Sequence, residues 1–273
     1  VPLHKIQADI LSVLAASRDP ESYVAGSTPL NVSAPRYSGD VDIFHDRAER
    51  VAEAASNDAE VLRAAGFDVS WIRQLDAVHT AEVRNGDEAT RLEWVADSDF
   101  RFFPTMRDEL FGFMLNPVDL ATNKLMAAAG RRELRDIVDL VTIHEEVLPL
   151  GALAWAAVEK SPGFTPEGLI AEIKRNLHHP VEEWRSLATE TPLDPAATIK
   201  KVQAYLGEAK AFVAKMPTDK AGLVFLKDGA PVQPDPEKLE AYTEHRGQRQ
   251  GHWPSSPEIR AAMFERVYNK PSP

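Results

Sequence analysis

The chain has 273 residues and no cysteine. Disulfide bonds, thiol catalysis and cysteine-ligated zinc are therefore excluded. The absence is compatible with a reducing compartment, and the expected location is the cytoplasm. No apolar run is long enough to span a bilayer, and no secretory signal opens the sequence. The first residue is Val, as expected of a trimmed start. Positive charge is in deficit: 31 Lys and Arg against 42 Asp and Glu leave a net charge of −11. That argues against a uniformly basic nucleic-acid-binding surface and leaves room for a local basic patch. The eight histidines are scattered without metal-ligand spacing. His178-His179 before Pro180 reads as a polar turn. His144-Glu145-Glu146 has no second His at helical spacing and reads as a solvated helix end. What remains, 44% apolar and 27% charged, is ordinary for a globular chain with a sizeable core and two domains.

What is present is concentrated in one stretch. Tyr23-Val24-Ala25 reads as a short strand running into Gly26-Ser27, and Gly39-Asp40-Val41-Asp42-Ile43-Phe44 as a second strand. Side chains two apart on a strand share a face. Asp40 and Asp42 are thus expected side by side, with Val41 and Ile43 on the buried face. Adjacent carboxylates repel unless something positive lies between them. A hard divalent cation such as Mg²⁺ suits, since it prefers oxygen ligands and brings substrate phosphates with it. The Gly-Ser turn offers a close backbone approach and a hydroxyl, as a phosphate site requires.

Around this stretch the apolar spacing predicts helices over 3–16 and 47–65, the second ending at Gly66. Strands are expected over 67–72, 77–84 and 91–95, with Asn85-Gly86-Asp87 as a turn, and a short one over 111–115. Glu93, on the strand over 91–95, is a candidate third carboxylate or a solvent-facing residue, with Asp97 and Asp99 behind it. The character changes at Asn116-Pro117, where Pro opens a helix carrying Asp119 and Lys124. The next helix carries Arg135-Asp136 and Asp139-Leu140, one turn apart on one face. Lys124 either snorkels or faces an anionic cleft, and Asp136 and Asp139 pair with Arg131, Arg132 or Arg135 or line a site. Leu223 to Leu226 before Lys227-Asp228-Gly229 reads as a hairpin, and the tail after Gln248 as a loosely held arm. The fold class is α+β: a mixed sheet flanked by helices, then a helical half. The segments are an α/β core over 1–115, a helical segment over 116–220 completing the site, and a hairpin with a tail over 221–273.

Taken in order, Gly26-Ser27-Thr28-Pro29-Leu30, Arg36-Tyr37-Ser38-Gly39-Asp40-Val41-Asp42, Asp119 to Lys124 and Arg135-Asp136 to Asp139-Leu140 resemble the motifs of the AbiEii/AbiGii family of bacterial nucleotidyltransferase toxins. Pro29 stands where a small residue is usual, and the resemblance spans residues 23–140. It implies a polymerase-β-like nucleotidyltransferase core. Asp40 and Asp42 would be Mg²⁺ ligands, Gly26 and Ser27 would hold the β/γ phosphates, and Lys124 would neutralise triphosphate charge. Asp139 would be an active-site acid, with Asp136 beside it. A hydroxyl would attack the α-phosphorus of an NTP, and pyrophosphate would leave. The acceptor would be RNA, with a tRNA 3′ end foremost, or a protein hydroxyl. The context would be a toxin–antitoxin or abortive-infection system with a cognate antitoxin and no membrane partner. Arg131, Arg132 and Arg135, extended by Lys174-Arg175 and Lys200-Lys201, could meet RNA phosphates or be solvated helix faces. A small-molecule nucleotidyltransferase of antibiotic-modifying type, or a non-catalytic interaction protein on the same fold, are the rival readings.

Overall fold

Alternation and turn chemistry shape the first half. The computed structural model describes residues 3–249 apart from 33, 99 and 162. Asp99 as a carboxylate candidate and the tail beyond 249 lie outside the described residues. The elements run α1 (Lys5–Leu14), β1 (Ser22–Ala25), β2 (Asp40–His45), α2 (Val51–Ala64), β3 (Asp68–Leu75), β4 (Val78–Asn85), β5 (Glu88–Ala96), β6 (Phe100–Arg101), β7 (Met106–Asp108) and β8 (Gly112–Met114). Helices α3 (Pro117–Gly130), α4 (Leu134–Thr142), α5 (Leu150–Lys160), α6 (Pro166–Arg175), α7 (Val181–Ser186) and α8 (Pro195–Val213) follow. β9 (Val224–Lys227), β10 (Ala230–Val232), β11 (Thr243–His245) and β12 (Gln248–Arg249) are the last elements among the described residues. The α+β expectation, a mixed sheet and then a helical half, holds.

The chain divides into two units. The first takes residues 1–99, 104–120 and 186–193; the second takes 100–103, 121–185 and the rest. Among the described residues of the first unit, seven strands form a mixed sheet in the order β3-β4-β5-β2-β1-β8-β7. β2 is antiparallel to β1 and parallel to β5. Burial alternates along β2, with Val41, Ile43 and His45 inward and Asp40, Asp42 and Phe44 partly exposed. The inward face packs with Val51, Ala55 and Leu62 of α2 and Ile6, Ile10, Leu11 and Leu14 of α1. α2 ends as its sequence suggests, at Gly66 with φ +92°. The β4–β5 turn uses Gly86 at φ +59°. Residues 186–193 belong here because their backbone pairs with the loop ahead of β2: Tyr37 N donates to Ala188 O at 3.0 Å and Glu190 N to Pro35 O at 2.9 Å.

One polar knot interrupts this core. Arg18 reaches Asp58 of α2 at 2.5 Å, and the Trp94 indole donates to the same carboxylate at 2.7 Å. Burial pushes the Asp58 carboxyl up, and Arg18 opposes it. His45 is fully buried nearby; burial, and then the Arg18 and Arg50 charges, push it down to about 4.

In the second unit α5 packs on α6 and α8, and β9 forms a small sheet in the order β10-β9-β11. The hairpin read from Asp228-Gly229 is there, with both residues at positive φ. α8 is capped by Asp194, whose carboxylate accepts from Ala196 N and Ala197 N. The His144 segment departs from expectation. It lies in a π-helical turn over Ile143–Val147, and its ring stacks on Tyr205 at 3.8 Å. Glu145 accepts from the Tyr205 hydroxyl and pairs with Lys201 at 2.9 Å. This helix end is therefore stacked and paired with α8. Likewise His179 is buried and bonded to Glu183 at 2.5 Å, while His178 is exposed. Among the described residues no helix is long and apolar enough to cross a membrane.

Candidate active site

The first unit brings the Gly26 turn and the aspartate strand into contact. Ala25 at the end of β1 is the register partner of Asp42, so the chain must turn where the Asp42 side chain stands. Gly26 makes the turn at φ +67°, and a Cβ there would lie 1.8 Å from Asp42 Oδ2. Any side chain at 26 would clash with that carboxylate and strain the backbone. Asp40 and Asp42 share the partly exposed face of β2, as their spacing predicts.

A set of hydroxyls joins the turn to the strand. Ser27 Oγ lies 2.6 Å from Ser38 Oγ. Ser38 Oγ donates to Asp40 O at 3.0 Å, and Thr28 Oγ1 donates to the same carbonyl at 2.9 Å. Each hydroxyl carries one proton. If Ser38 donates to Asp40 O, Ser27 must donate to Ser38. If Ser38 turns to Ser27, Thr28 still holds Asp40 O and the Ser27 proton is released for an incoming acceptor. Ser27 is 5% exposed, so only a ligand in close contact with the turn would reach it.

Glu93 of β5 is the register partner of Asp42 and therefore shares its face. Thr80 of β4 lies 3.5 Å from its carboxylate. Arg91, two residues earlier, is in register with Asp40. Among the described residues no three His, Cys, Asp or Glu side chains gather as a metal cage.

The second unit holds the other predicted residues in a tight ionic cluster. Lys124 Nζ lies 3.0 Å from Asp136 Oδ1 and 3.1 Å from Asp139 Oδ2. Arg131 Nε reaches Asp136 Oδ2 at 2.7 Å. Burial alone would raise the Asp136 carboxyl; the Arg131 hydrogen bond and the Lys124 charge outweigh it and hold it below the ordinary value. The ammonium read as facing an anionic cleft thus already sits between two carboxylates. The basic residues considered for RNA are largely engaged as well. Arg132 donates to His178 O at 2.8 Å and meets Glu183 at 3.4 Å, and Arg135 Nε lies 3.8 Å from Glu133. Arg175 pairs with Glu172 at 2.8 Å.

No protein-family model matches the chain, and no curated protein matches it. Solved structures do. MenT4, a nucleotidyltransferase toxin from Mycobacterium tuberculosis H37Rv, superposes with a TM-score of 0.58 at 16% identity, over 78% of this chain and 83% of its own. JHP933 from Helicobacter pylori matches with a TM-score of 0.49 at 17% identity, over 77% of this chain and 90% of its own. The chain has a nucleotidyltransferase fold. Within that fold, sequence reasoning gave no role to Ser38, Thr28 or Gln7. Ser38 stands two residues ahead of Asp40, inside the motif that carries the aspartates. Gln7 had a usable signal: it is an amide on the buried stripe of α1.

Proposed function

We propose that this chain is a Mg²⁺-dependent nucleotidyltransferase that moves an NMP unit from an NTP to an acceptor hydroxyl. The observation that carries the reading is the Asp42 carboxylate resting on the Gly26 turn, within a nucleotidyltransferase fold. The donors fit the ion: two carboxylates on one strand face leave the remaining positions to phosphates and water, as Mg²⁺ prefers. When bound by Asp40 and Asp42, Mg²⁺ would supply charge neutralisation at the phosphate oxygens. The Gly26–Ser27 turn would hold the β/γ phosphates through backbone N–H groups and the releasable Ser27 proton. Glu93 would take the proton of the attacking hydroxyl. That oxygen forms the new bond to the α-phosphorus as the bond to pyrophosphate breaks. Lys124, Asp136 and Asp139 keep the roles that the resemblance implies, Lys124 neutralising triphosphate charge and Asp139 serving as the acid with Asp136 beside it.

The acceptor we favour is an RNA 3′ end, tRNA foremost, in the setting of a toxin held by an antitoxin. The likeness to MenT4, a nucleotidyltransferase toxin, supports that setting. Labelled NTPs offered with tRNA, protein and aminoglycoside acceptors test it. Label on tRNA carries the reading, and label on an aminoglycoside replaces it with the small-molecule enzyme that the acidic charge balance suits. Absence of NTP binding at millimolar Mg²⁺ would sink both.

A further inference from the structure

We propose that Gln7 is a positioning residue for the nucleotide site, fixing from α1 the spacing between the Gly26–Ser27 turn and the Asp40–Asp42 strand. The inference rests on the nucleotidyltransferase reading and adds a residue to it.

Gln7 is fully buried on the stripe that also presents Ile6, Ile10, Leu11 and Leu14 to the core. An amide there is costly unless its hydrogen bonds are made, and an apolar side chain of similar volume would fill the space. Packing therefore does not explain the choice of residue. Its bonds do. Nε2 donates to Ser38 O at 2.9 Å and to Thr90 Oγ1 at 3.3 Å, and Oε1 accepts from His4 N at 3.1 Å. Both amide protons and the carbonyl are thus used.

What Gln7 grips is the hub of the site. The carbonyl it holds belongs to Ser38, whose hydroxyl meets Ser27 Oγ at 2.6 Å and Asp40 O at 3.0 Å. Ser38 is also 3.2 Å from Thr28 Oγ1. Fixing the Ser38 backbone sets where its hydroxyl points, and so which of Ser27 and Asp40 it serves. The second donor ties the same amide to β5, the strand that carries Glu93. One side chain from α1 thereby fixes the loop between turn and strand against the neighbouring strand. Loss of this brace would let the turn drift relative to Asp42, and small displacements of positioned groups weaken ligand grip and rate together.

The experiment is calorimetric titration of the full chain with ATP, GTP, CTP and UTP, each in excess Mg²⁺, beside thermal unfolding. Gln7→Met keeps the volume and loses every hydrogen bond. Gln7→Glu keeps the shape and the bond from His4 N, and carries the test if the Met variant does not fold. Ile10→Val on the same helix lowers stability without touching the network. We expect the bound nucleotide to lose affinity about tenfold in the Gln7 variants. Ile10→Val should stay within about twofold of wild type at a similarly lowered unfolding midpoint. Gln7 variants that bind as tightly as wild type overturn the inference alone, as does an Ile10→Val loss equal to theirs. Wild-type protein that binds none of the four nucleotides overturns the nucleotidyltransferase reading, and this inference with it.

Discussion

Two pairs of aspartates stand at regular spacing in this chain, two residues apart on β2 and three apart on α4. Asp40 and Asp42 are partly exposed on a strand face, and a glycine at 26 gives Asp42 its room. Asp136 and Asp139 are buried, 0% and 2% exposed, and both bind the Lys124 ammonium. Periodicity alone treats the two pairs alike. Their surroundings do not: a partly exposed pair can be altered at little cost to folding, whereas a buried ionic cluster is part of what keeps its unit folded.

That contrast is easiest to break with Lys124→Ala. Removing the ammonium takes the shared cation from two buried carboxylates and leaves Asp136 with Arg131, and the expected loss is about 3 kcal/mol of stability, read by denaturant unfolding. An unchanged midpoint would mean that water reaches the cluster freely and that the contrast is false. Asp42→Ala should do the opposite. Nucleotide transfer is expected to fall by about 10²–10³, the scale for losing one preorganised electrostatic group at a reacting phosphate, with the unfolding midpoint nearly unmoved. Gly26→Ala should lower transfer likewise, because the new methyl displaces the same carboxylate, but at a cost of about 1–2 kcal/mol in stability for a side chain at φ +67°.

A third measurement concerns His45, the last residue of the aspartate strand, on its buried face. Its folded value, about 4, is below the ordinary 6.5. The folded protein refuses a proton that the unfolded chain accepts, so the contribution is complete above pH 6.5. It is lost as pH falls through the window down to 4, with an upper scale of about 3 kcal/mol. His45→Leu should flatten that part of the stability–pH curve, and a variant curve parallel to wild type would reject the assignment. The smallest effect is expected at Asp194→Ala, which removes the α8 cap and should cost about 1 kcal/mol without changing transfer.

What could be read in the sequence follows from the range of the forces involved. The aspartate face of β2 was legible because strand alternation is local, and Gly66, Gly86 and Asp228-Gly229 were legible because positive φ selects its residues. β7 was not, since three residues show no period. The pairing of Lys124 with Asp136 and Asp139 was not among the readings of either helix, because a helix face looks the same whether its cation meets a ligand or another helix. The hydroxyl set around Ser38 was hidden for a further reason. Its members, Ser27, Thr28 and Ser38, all lie in the loop between β1 and β2, and small polar residues in a loop look like loop chemistry. The pairing of residues 35–37 with 188–190 runs through backbone groups and leaves no side-chain pattern at all.

That last pairing bears on how the chain is made. Residues 186–193 emerge from the ribosome long after the loop they pair with, with most of the helical half synthesised between. Until then Tyr37 N and Pro35 O lack their partners, and the loop ahead of Asp40 waits unfinished. The carboxylate strand can form early, but its approach loop closes late. A nascent chain therefore carries its aspartates before the loop that leads into them is closed.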